Sequence, residues 1–374
     1  MSNIVRIAQI IGRNAKGGVE SVVFNYYNFI DKSKFQFDLI IHSDSPYEIP
    51  DDIVQLGCKV YKVPPYKYLF SYIKALKHIF QTGNYEIVHS HMSTISVFTL
   101  FAAKMANIPV RIAHSHVTAG KGKGEFLRNI FKYILRLFSK LFPTHLFACS
   151  EYAGRWMFGN KAFEEGKITI INNAIDYKKF IYNKKIREKI RNSLNLKDEF
   201  VVGSVGRFMP QKNHDFLIDI FYDVFKKNNK SALLLIGDGE LRTHIEGKVK
   251  RLNLQDNVFF LGVRDDVNEL FQAMDVFVLP SLYEGLGMVA VEAQVSGLPT
   301  IVSNRLPNEV KLLNLIEFLD LNEKSEKWAE SILSKRCFER LDISNEANIK
   351  KFSVSDEVKK LEAIYHNLIS RRAQ

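Results

Sequence analysis

The sequence predicts an α/β protein built from two doubly wound parallel sheets, one in each half of its 374 residues. Three observations predict it. Short β-branched and aliphatic runs alternate with stretches whose apolar residues recur at helical spacing. The runs lack the in–out alternation of a half-exposed strand, which marks strands covered on both faces. The alternation also starts afresh near Phe200, and this length exceeds what one core ordinarily serves.

Taken in order, Ile4-Val5-Arg6-Ile7-Ala8-Gln9-Ile10-Ile11 reads as a strand stopped by Gly12, followed by helical spacing from Val19 to Ile30. Phe37–His42 is a second strand, with helical spacing near Ile53–Leu56, and Val60–Val63 a third before a helix over Tyr68–Thr82. Ile87-Val88-His89 is a buried strand before a helix over Val97–Ala106, and Val110–Ala113 and Leu146–Cys149 are further strands. The second half reads as strands over Phe200–Gly206, Ala232–Gly237, Val258–Leu261, Val276–Pro280 and Thr300–Ser303, the last clear one. Helices over Phe216–Lys226, Leu241–Leu252, Val267–Met274 and Val289–Val295 separate them. The polar, Lys-rich stretch from Asn172 to Asn195 holds the boundary, giving an acceptor-side domain over 1–178 and a donor domain over 179–350. Helical spacing of Val354, Val358, Leu361, Ile364, Tyr365 and Leu368 makes 351–374 a terminal helix, with the N-terminal domain the candidate to receive it. Two such units imply a cleft between domains, where ligands prefer to sit.

Composition narrows the function. With 46% hydrophobic and 25% charged residues the chain is ordinary for a globular protein and far from a disordered one. The 52 Lys and Arg against 41 Asp and Glu leave a formal charge of +11, which favours anionic partners without choosing among them. Cys58, Cys149 and Cys337 are odd in number and far apart, so neither a disulfide framework nor a zinc site is expected. No charged start followed by an apolar run marks a signal peptide, and no run reaches the ~18 apolar residues of a spanning helix. The expected location is cytoplasmic, with peripheral contact at the inner face of the membrane.

Four segments carry chemistry. Ser281-Leu282-Tyr283-Glu284-Gly285-Leu286-Gly287-Met288-Val289-Ala290-Val291-Glu292-Ala293 is a strand end, a glycine turn and a helix start, which presents backbone N–H groups and positive partial charge to a phosphate. Gly206-Arg207-Phe208-Met209-Pro210-Gln211-Lys212-Asn213-His214 brings a forked donor and a point charge to another strand end. Asn14-Ala15-Lys16-Gly17-Gly18-Val19-Glu20 is a glycine loop that fails the dinucleotide fingerprint. His89-Ser90-His91 and His114-Ser115-His116 sit at strand ends that face the ligand crevice of an open parallel sheet. No carboxylate or Cys spacing accompanies the histidines, so a substrate contact is expected there and no metal. Alone, each segment also fits a tight turn beside solvated charge.

Together they resemble family 4 of the retaining glycosyltransferases, the GT-B architecture of two Rossmann-like domains facing each other across a cleft, and especially its bacterial exopolysaccharide and capsule enzymes. The resemblance runs through nearly the whole chain in order. It rests on Gly17-Gly18-x-Glu20, Asn173-Ala174-Ile175-Asp176, Gly206-Arg207 with Lys212-Asn213, Gly237-Asp238-Gly239, Phe260-Leu261-Gly262 and the E-x7-E pair Glu284/Glu292. One departure is Asn304-Arg305-Leu306-Pro307-Asn308-Glu309, which lacks the glycine pair many relatives carry.

The resemblance implies that Arg207 and Lys212 bind the donor diphosphate and that Glu292 binds the ribose hydroxyls. Glu284 would lie near the transferred sugar, though not as a nucleophile. Backbone amides of Gly285, Leu286, Gly287, Met288 and Val289 would meet sugar and phosphate, and Val263 the base. Gly17 and Gly18 would let the first loop approach the diphosphate. The active-site histidine aligns with His116, with His114 the alternative. The co-substrate implied is a nucleotide sugar, UDP being the nucleotide common among similar enzymes, with no metal, and the reaction a retaining hexosyl or N-acetylhexosaminyl transfer to a saccharide acceptor, lipid-linked in such pathways.

Over 121–140, Lys121, Lys123, Arg128, Lys132, Arg136 and Lys140 interleave with apolar residues at helical spacing, the pattern of a helix lying on an anionic membrane or packed on a core. The rival functions are a GT-B sugar-nucleotide epimerase, whose relatives do not share this E-x7-E arrangement, and an inactive nucleotide-binding scaffold, against which the intact charged residues argue. A nucleic-acid partner is not expected, because no helix-turn-helix, RRM or zinc pattern is present.

Overall fold

The computed structural model describes residues 4–14, 18–116, 126–340, 343 and 346–370. The chain divides into two compact units, one formed by the described residues of 1–176 and 352–374, the other by those of 177–351.

The N-terminal unit runs β1 (Val5–Gly12), α1 (Gly18–Phe29), β2 (Phe35–His42), α2 (Asp51–Gln55), β3 (Val60–Val63), α3 (Leu69–Thr82), β4 (Ile87–Ser90) and α4 (Ser96–Met105). It continues through β5 (Val110–Ser115), α5 (Phe126–Leu137), β6 (His145–Ala148), α6 (Glu151–Phe158), α7 (Asn160–Glu164) and β7 (Ile168–Ile170). Its described residues form a seven-stranded sheet in the order β3-β2-β1-β4-β5-β6-β7, parallel at every pairing. Both faces are covered, which is why the strands read as unbroken apolar runs. One face packs Val22, Val23 and Tyr26 of α1 against Phe37 and Leu39, the other Tyr72, Leu76 and Phe80 of α3 against Ile40 and Val88.

The C-terminal unit runs α8 (Lys184–Ser193), β8 (Phe200–Val205), α9 (His214–Lys227), β9 (Ser231–Ile236), α10 (Arg242–Arg251), β10 (Val258–Gly262) and α11 (Val267–Ala273). It ends with β11 (Val276–Leu279), α12 (Met288–Val295), β12 (Thr300–Ser303), β13 (Ile316–Leu319) and α13 (Ser325–Leu333). Its six strands are ordered β10-β9-β8-β11-β12-β13, again parallel throughout. The doubly wound fold that the sequence predicts is present in both units.

Two differences have physical causes. Thr300–Ser303 is not the last strand, because β13 pairs beside it at the sheet edge. That strand spans four residues, includes Glu317 and is half-buried along its length, so it lacks the apolar run of a central strand. The three-residue edge strand β7 escapes notice for the same reason.

The last helix, α14 (Val354–Ser370), belongs to the N-terminal unit. Val354, Val358, Leu361 and Tyr365 join the core that holds α1, Phe35 and Phe37. The chain is tied in by Val354 N–H donating to the Ile175 carbonyl at 3.0 Å and Ile175 N–H to the Phe352 carbonyl at 2.9 Å. Glu357 accepts from the Asn172 backbone and side chain, both at 3.1 Å. The C-terminus therefore completes a core that the first half of the chain leaves open.

Candidate functional site

In a parallel sheet every strand delivers its exit loop to the same edge, so the motifs of the C-terminal unit converge there. The loops leaving β8, β9 and β10 brace one another through backbone bonds. Gly206 N–H donates to the Ile236 carbonyl at 2.9 Å, Phe208 N–H to Asp238 at 3.0 Å, and Gly237 N–H to Gly262 at 2.8 Å. The Gly237-Asp238-Gly239 motif thus supports the loop that carries Arg207. Gly206 has a separate reason: a Cβ there would stand 2.9 Å from Lys212 Cε, so glycine leaves room for the lysine stem.

That stem ends at the centre of the site. Lys212 Nζ meets Glu284 Oε1 at 2.6 Å, with side chains only 15% and 8% exposed. Ser281 Oγ donates to the same oxygen at 2.7 Å, and Gln211 Nε2 donates to Oε2 at 3.2 Å and to the Tyr283 carbonyl at 2.9 Å. A buried carboxylate is tolerable only when paired and hydrogen-bonded, and Glu284 is both. The same bonds staple the two loops together, joined by Leu282 N–H to the Gln211 carbonyl at 2.8 Å and Asn213 Nδ2 to the Pro280 carbonyl at 3.1 Å.

Downstream, Gly287 takes a left-handed conformation (φ 84°) that turns the chain into α12 at Met288, so Gly285, Leu286, Gly287, Met288 and Val289 form the turn and first helical positions. No side chain among the described residues caps this helix start. Glu292, just over one turn into the helix, is half-buried. Burial pushes its carboxyl up to about 7, with Lys212 pulling the other way. Arg207 and Val263 are exposed on the loops after β8 and β10. Glu309 lies partly buried in the turn after β12.

In the N-terminal unit, Gly17 lies outside the described residues, Gly18 opens α1, and Glu20 is buried in its first turn. A Cβ added to Gly18 would meet nothing within 4 Å. The histidines form a buried cluster. His114 lies in β5, and His116 follows that strand by one residue. His116 Nε2 is 2.8 Å from His91 Nδ1, and its Nδ1 is 3.0 Å from Asn173 Oδ1, so both ring nitrogens are engaged within the protein. Burial lowers His116 to about 4 and holds His89, His91 and His114 well below their ordinary range.

Where sequence spacing gave no support for metal ligands, the fold brings nitrogens of His89, His91 and His114 within 4.8 Å of one another. The rings are arranged as a stack, His89 on His91 at 4.2 Å between centroids and 24° between planes. Imidazole lone pairs lie in the ring plane, so stacked rings aim them side by side rather than at one point. His89 and His91 also use both nitrogens in hydrogen bonds, to Tyr365 and His114 and to His116 and Gln9. The cluster is therefore a hydrogen-bonded network. Gln211, Ser281 and Asn213 lie in the motif segments without a role that the sequence assigns, and Gln9 and the hydroxyl of Tyr365 carry no motif, since a lone Gln or Tyr in an apolar run gives no charge signal.

Residues 16–179 match the model for Glycosyltransferase Family 4, and 186–332 that for Glycosyl transferases group 1. The chain is 34% identical over 335 residues to the putative glycosyltransferase EpsF of Bacillus subtilis (strain 168), covering 87% of this chain and 86% of the relative. It is 27% identical over 391 residues to UDP-Gal:alpha-D-GlcNAc-diphosphoundecaprenol alpha-1,3-galactosyltransferase of Escherichia coli, covering 98% and 97%. Among solved structures, Anabaena HepE in complex with UDP and glucose superposes with a TM-score of 0.78 at 19% identity, over 97% of this chain and 100% of that one, a likeness of fold. The chain belongs to glycosyltransferase family 4, with the GT-B fold, and is a glycosyltransferase.

The Glu292 shift has a consequence for stability. A folded value near 7 against the ordinary 4.5 means the folded chain holds this proton more tightly. The stabilisation is full below about 4.5 and is lost as pH rises through about 7. Glu292→Gln should remove that part of the decline, so the wild-type and variant melting temperatures should diverge across this window; parallel curves would contradict the assignment.

Proposed function

We propose that this enzyme transfers a hexosyl or N-acetylhexosaminyl group from a UDP-sugar to a lipid-linked saccharide acceptor in exopolysaccharide or capsule synthesis, with retention and without metal. The observation that carries the donor half is the Lys212–Glu284 knot at the strand exits, with Arg207 on the same braced loop. The UDP and lipid-linked parts of the reading are supported by the E. coli relative, named for a UDP-linked donor and a diphosphoundecaprenol-linked sugar, and the UDP part by the UDP-bound HepE.

In this reading Arg207 and Lys212 hold the diphosphate. Glu284 accepts one N–H of the lysine ammonium, leaving two donors for phosphate oxygens. Amides from Gly285 to Val289, at the uncapped start of α12, add positive partial charge. Breaking the anomeric bond leaves negative charge on the departing diphosphate, and cations and amides already in place stabilise it as it develops. Glu292 accepts from the ribose hydroxyls, Val263 meets the base, and Gly17 and Gly18 admit the diphosphate. Glu284 acts by orienting Lys212 and the sugar; its oxygens are already occupied by three donors, which is no arrangement for a nucleophile. His116 reaches the sugar by exchanging its Asn173 bond for a hydroxyl.

Membrane contact falls to 121–140, of which 121–125 lie outside the described residues. Ile130, Phe131, Tyr133, Ile134, Leu137, Phe138 and Leu141 are exposed, Leu137 at 79%, with Arg136 and Lys140 among them. Exposed apolar side chains with basic ones among them, along α5 and the turn that follows it, are what an anionic bilayer surface binds. Among the described residues no helix is long and apolar enough to cross a membrane.

UDP and one UDP-sugar should stabilise the protein selectively without added metal, by roughly 2.7 kcal/mol at 100 times the dissociation constant, and so raise its melting temperature. Lys212→Ala and Glu292→Ala should abolish the shift. A shift by another nucleotide would change the donor, and no shift by any would overturn the reading. Cosedimentation with anionic liposomes at low salt should fall in Leu137→Glu; wild-type protein that stays in the supernatant would refute membrane docking.

A further inference from the structure

A single file of hydrogen bonds threads the N-terminal unit. Asn173 meets His116 Nδ1 at 3.0 Å, His116 Nε2 meets His91 Nδ1 at 2.8 Å, and His91 Nε2 meets Gln9 Oε1 at 2.8 Å. Gln9 Nε2 donates to Tyr365 Oη at 3.3 Å, Tyr365 Oη lies 2.7 Å from His89 Nδ1, and His89 Nε2 lies 3.0 Å from His114 Nδ1. Beyond that, His114 Nε2 has no partner among the described residues. The file joins β1, β4, β5 and the Asn173 turn to α14, and its side chains are all buried.

Counting protons fixes how such a file can be filled. A neutral imidazole has one N–H and one lone pair, a primary amide donates from nitrogen and accepts at oxygen, and a hydroxyl donates once. Burial keeps the four rings neutral. Each link therefore dictates the next. If Tyr365 donates to His89, then Gln9 donates to Tyr365, every ring carries its proton on Nε2, and the Asn173 amide is turned to donate from Nδ2 to His116 Nδ1. If Tyr365 donates to Gln9, the Gln9 amide is turned to present Oε1 to the hydroxyl and its N–H to His91, and every ring carries its proton on Nδ1. Any third filling that keeps all the links leaves the buried Tyr365 proton without an acceptor, which is costly.

We infer that Tyr365 is a positioning residue: its hydroxyl, at the junction of two pairs of histidines, makes all four adopt the same tautomer and so fixes which form of Nδ1 His116 presents. The consequence for turnover rests on the proposed contact between His116 and the sugar. An Nδ1 lone pair accepts from a hydroxyl and an Nδ1–H donates to one, so a mixed population leaves part of the enzyme unable to orient its substrate. The C-terminal helix thereby reaches the proposed active-site histidine through side chains that touch no ligand themselves.

The test is nitrogen-15 NMR of the histidine rings in the full-length protein, where two-bond couplings distinguish the tautomers, read beside steady-state kinetics. The wild type should show one shared tautomer in His89, His91, His114 and His116. Tyr365→Phe keeps the ring in its core and removes the junction. It should give different or mixed tautomers in the His91/His116 and His89/His114 pairs and lower kcat about tenfold with the donor KM unchanged. Val358→Ala, which loosens the same helix away from the small cavity that Gln9, His89, His91, His114 and Tyr365 line, should lower the melting temperature and leave tautomers and kcat as in the wild type. Opposite tautomers in the two pairs of the wild type, or a Tyr365→Phe variant with wild-type tautomers, would overturn the inference. If His116→Ala keeps full kcat, the proposed sugar contact fails instead, while the tautomer pattern still decides the role of Tyr365.

Discussion

The C-terminal unit is organised around one buried carboxylate. Glu284 sits almost out of solvent and is made tolerable by Lys212, Ser281 and Gln211, which arrive from two loops of different strands. Removing Lys212 would leave the charge uncompensated in a place that water cannot reach easily, and removing Ser281 or Gln211 would leave a carboxylate oxygen short of a donor there. The two loops are thus fixed relative to each other by the needs of the carboxylate. Arg207, the turn at Gly287 and the start of α12 take their places from those loops. The glycines serve the same end, since Gly206 makes room for the lysine stem that reaches the carboxylate.

The N-terminal unit solves a related problem without charge. Four imidazoles packed inside a sheet edge cannot be hydrated, and burial keeps them neutral. Apart from His114 Nε2, which has no partner among the described residues, their polar atoms are satisfied by one another, by Gln9 and Asn173, and by the hydroxyl of Tyr365 from α14. The first and last segments of the protein meet in this network. The terminal helix therefore contributes polar bonding as well as apolar surface to the unit it completes.

Much of this was legible in the sequence. Central strands such as β1, β4 and β9 announced themselves as apolar runs because both sheet faces are covered, and the strand exits followed from glycines placed after those runs. Glu284, Lys212 and Glu292 were visible through charge and spacing at strand ends. What stayed hidden depends on tertiary partners. The edge strands β7 and β13 are short and half-exposed, at or below the length at which a pattern can be read. Gln211 and Ser281 look like ordinary loop residues until the fold brings them against a carboxylate. Tyr365 reads as one more apolar position in α14, and its hydroxyl matters only because β1 and β4 place Gln9 and His89 beside it. His116 was visible as a histidine at a strand exit, but the engagement of both its nitrogens was not.

The central claim is that the knot around Glu284 presents Lys212 and Arg207 to a diphosphate. A crystal structure of the full-length enzyme with UDP tests it most directly. The account predicts phosphate oxygens within hydrogen-bond distance of Arg207 and Lys212, the ribose hydroxyls on Glu292, the Lys212–Glu284 pair intact, and no ion bridging the phosphates. UDP bound away from the strand exits of the C-terminal sheet, or held there through a metal ion with Lys212 remote from the phosphates, would contradict it.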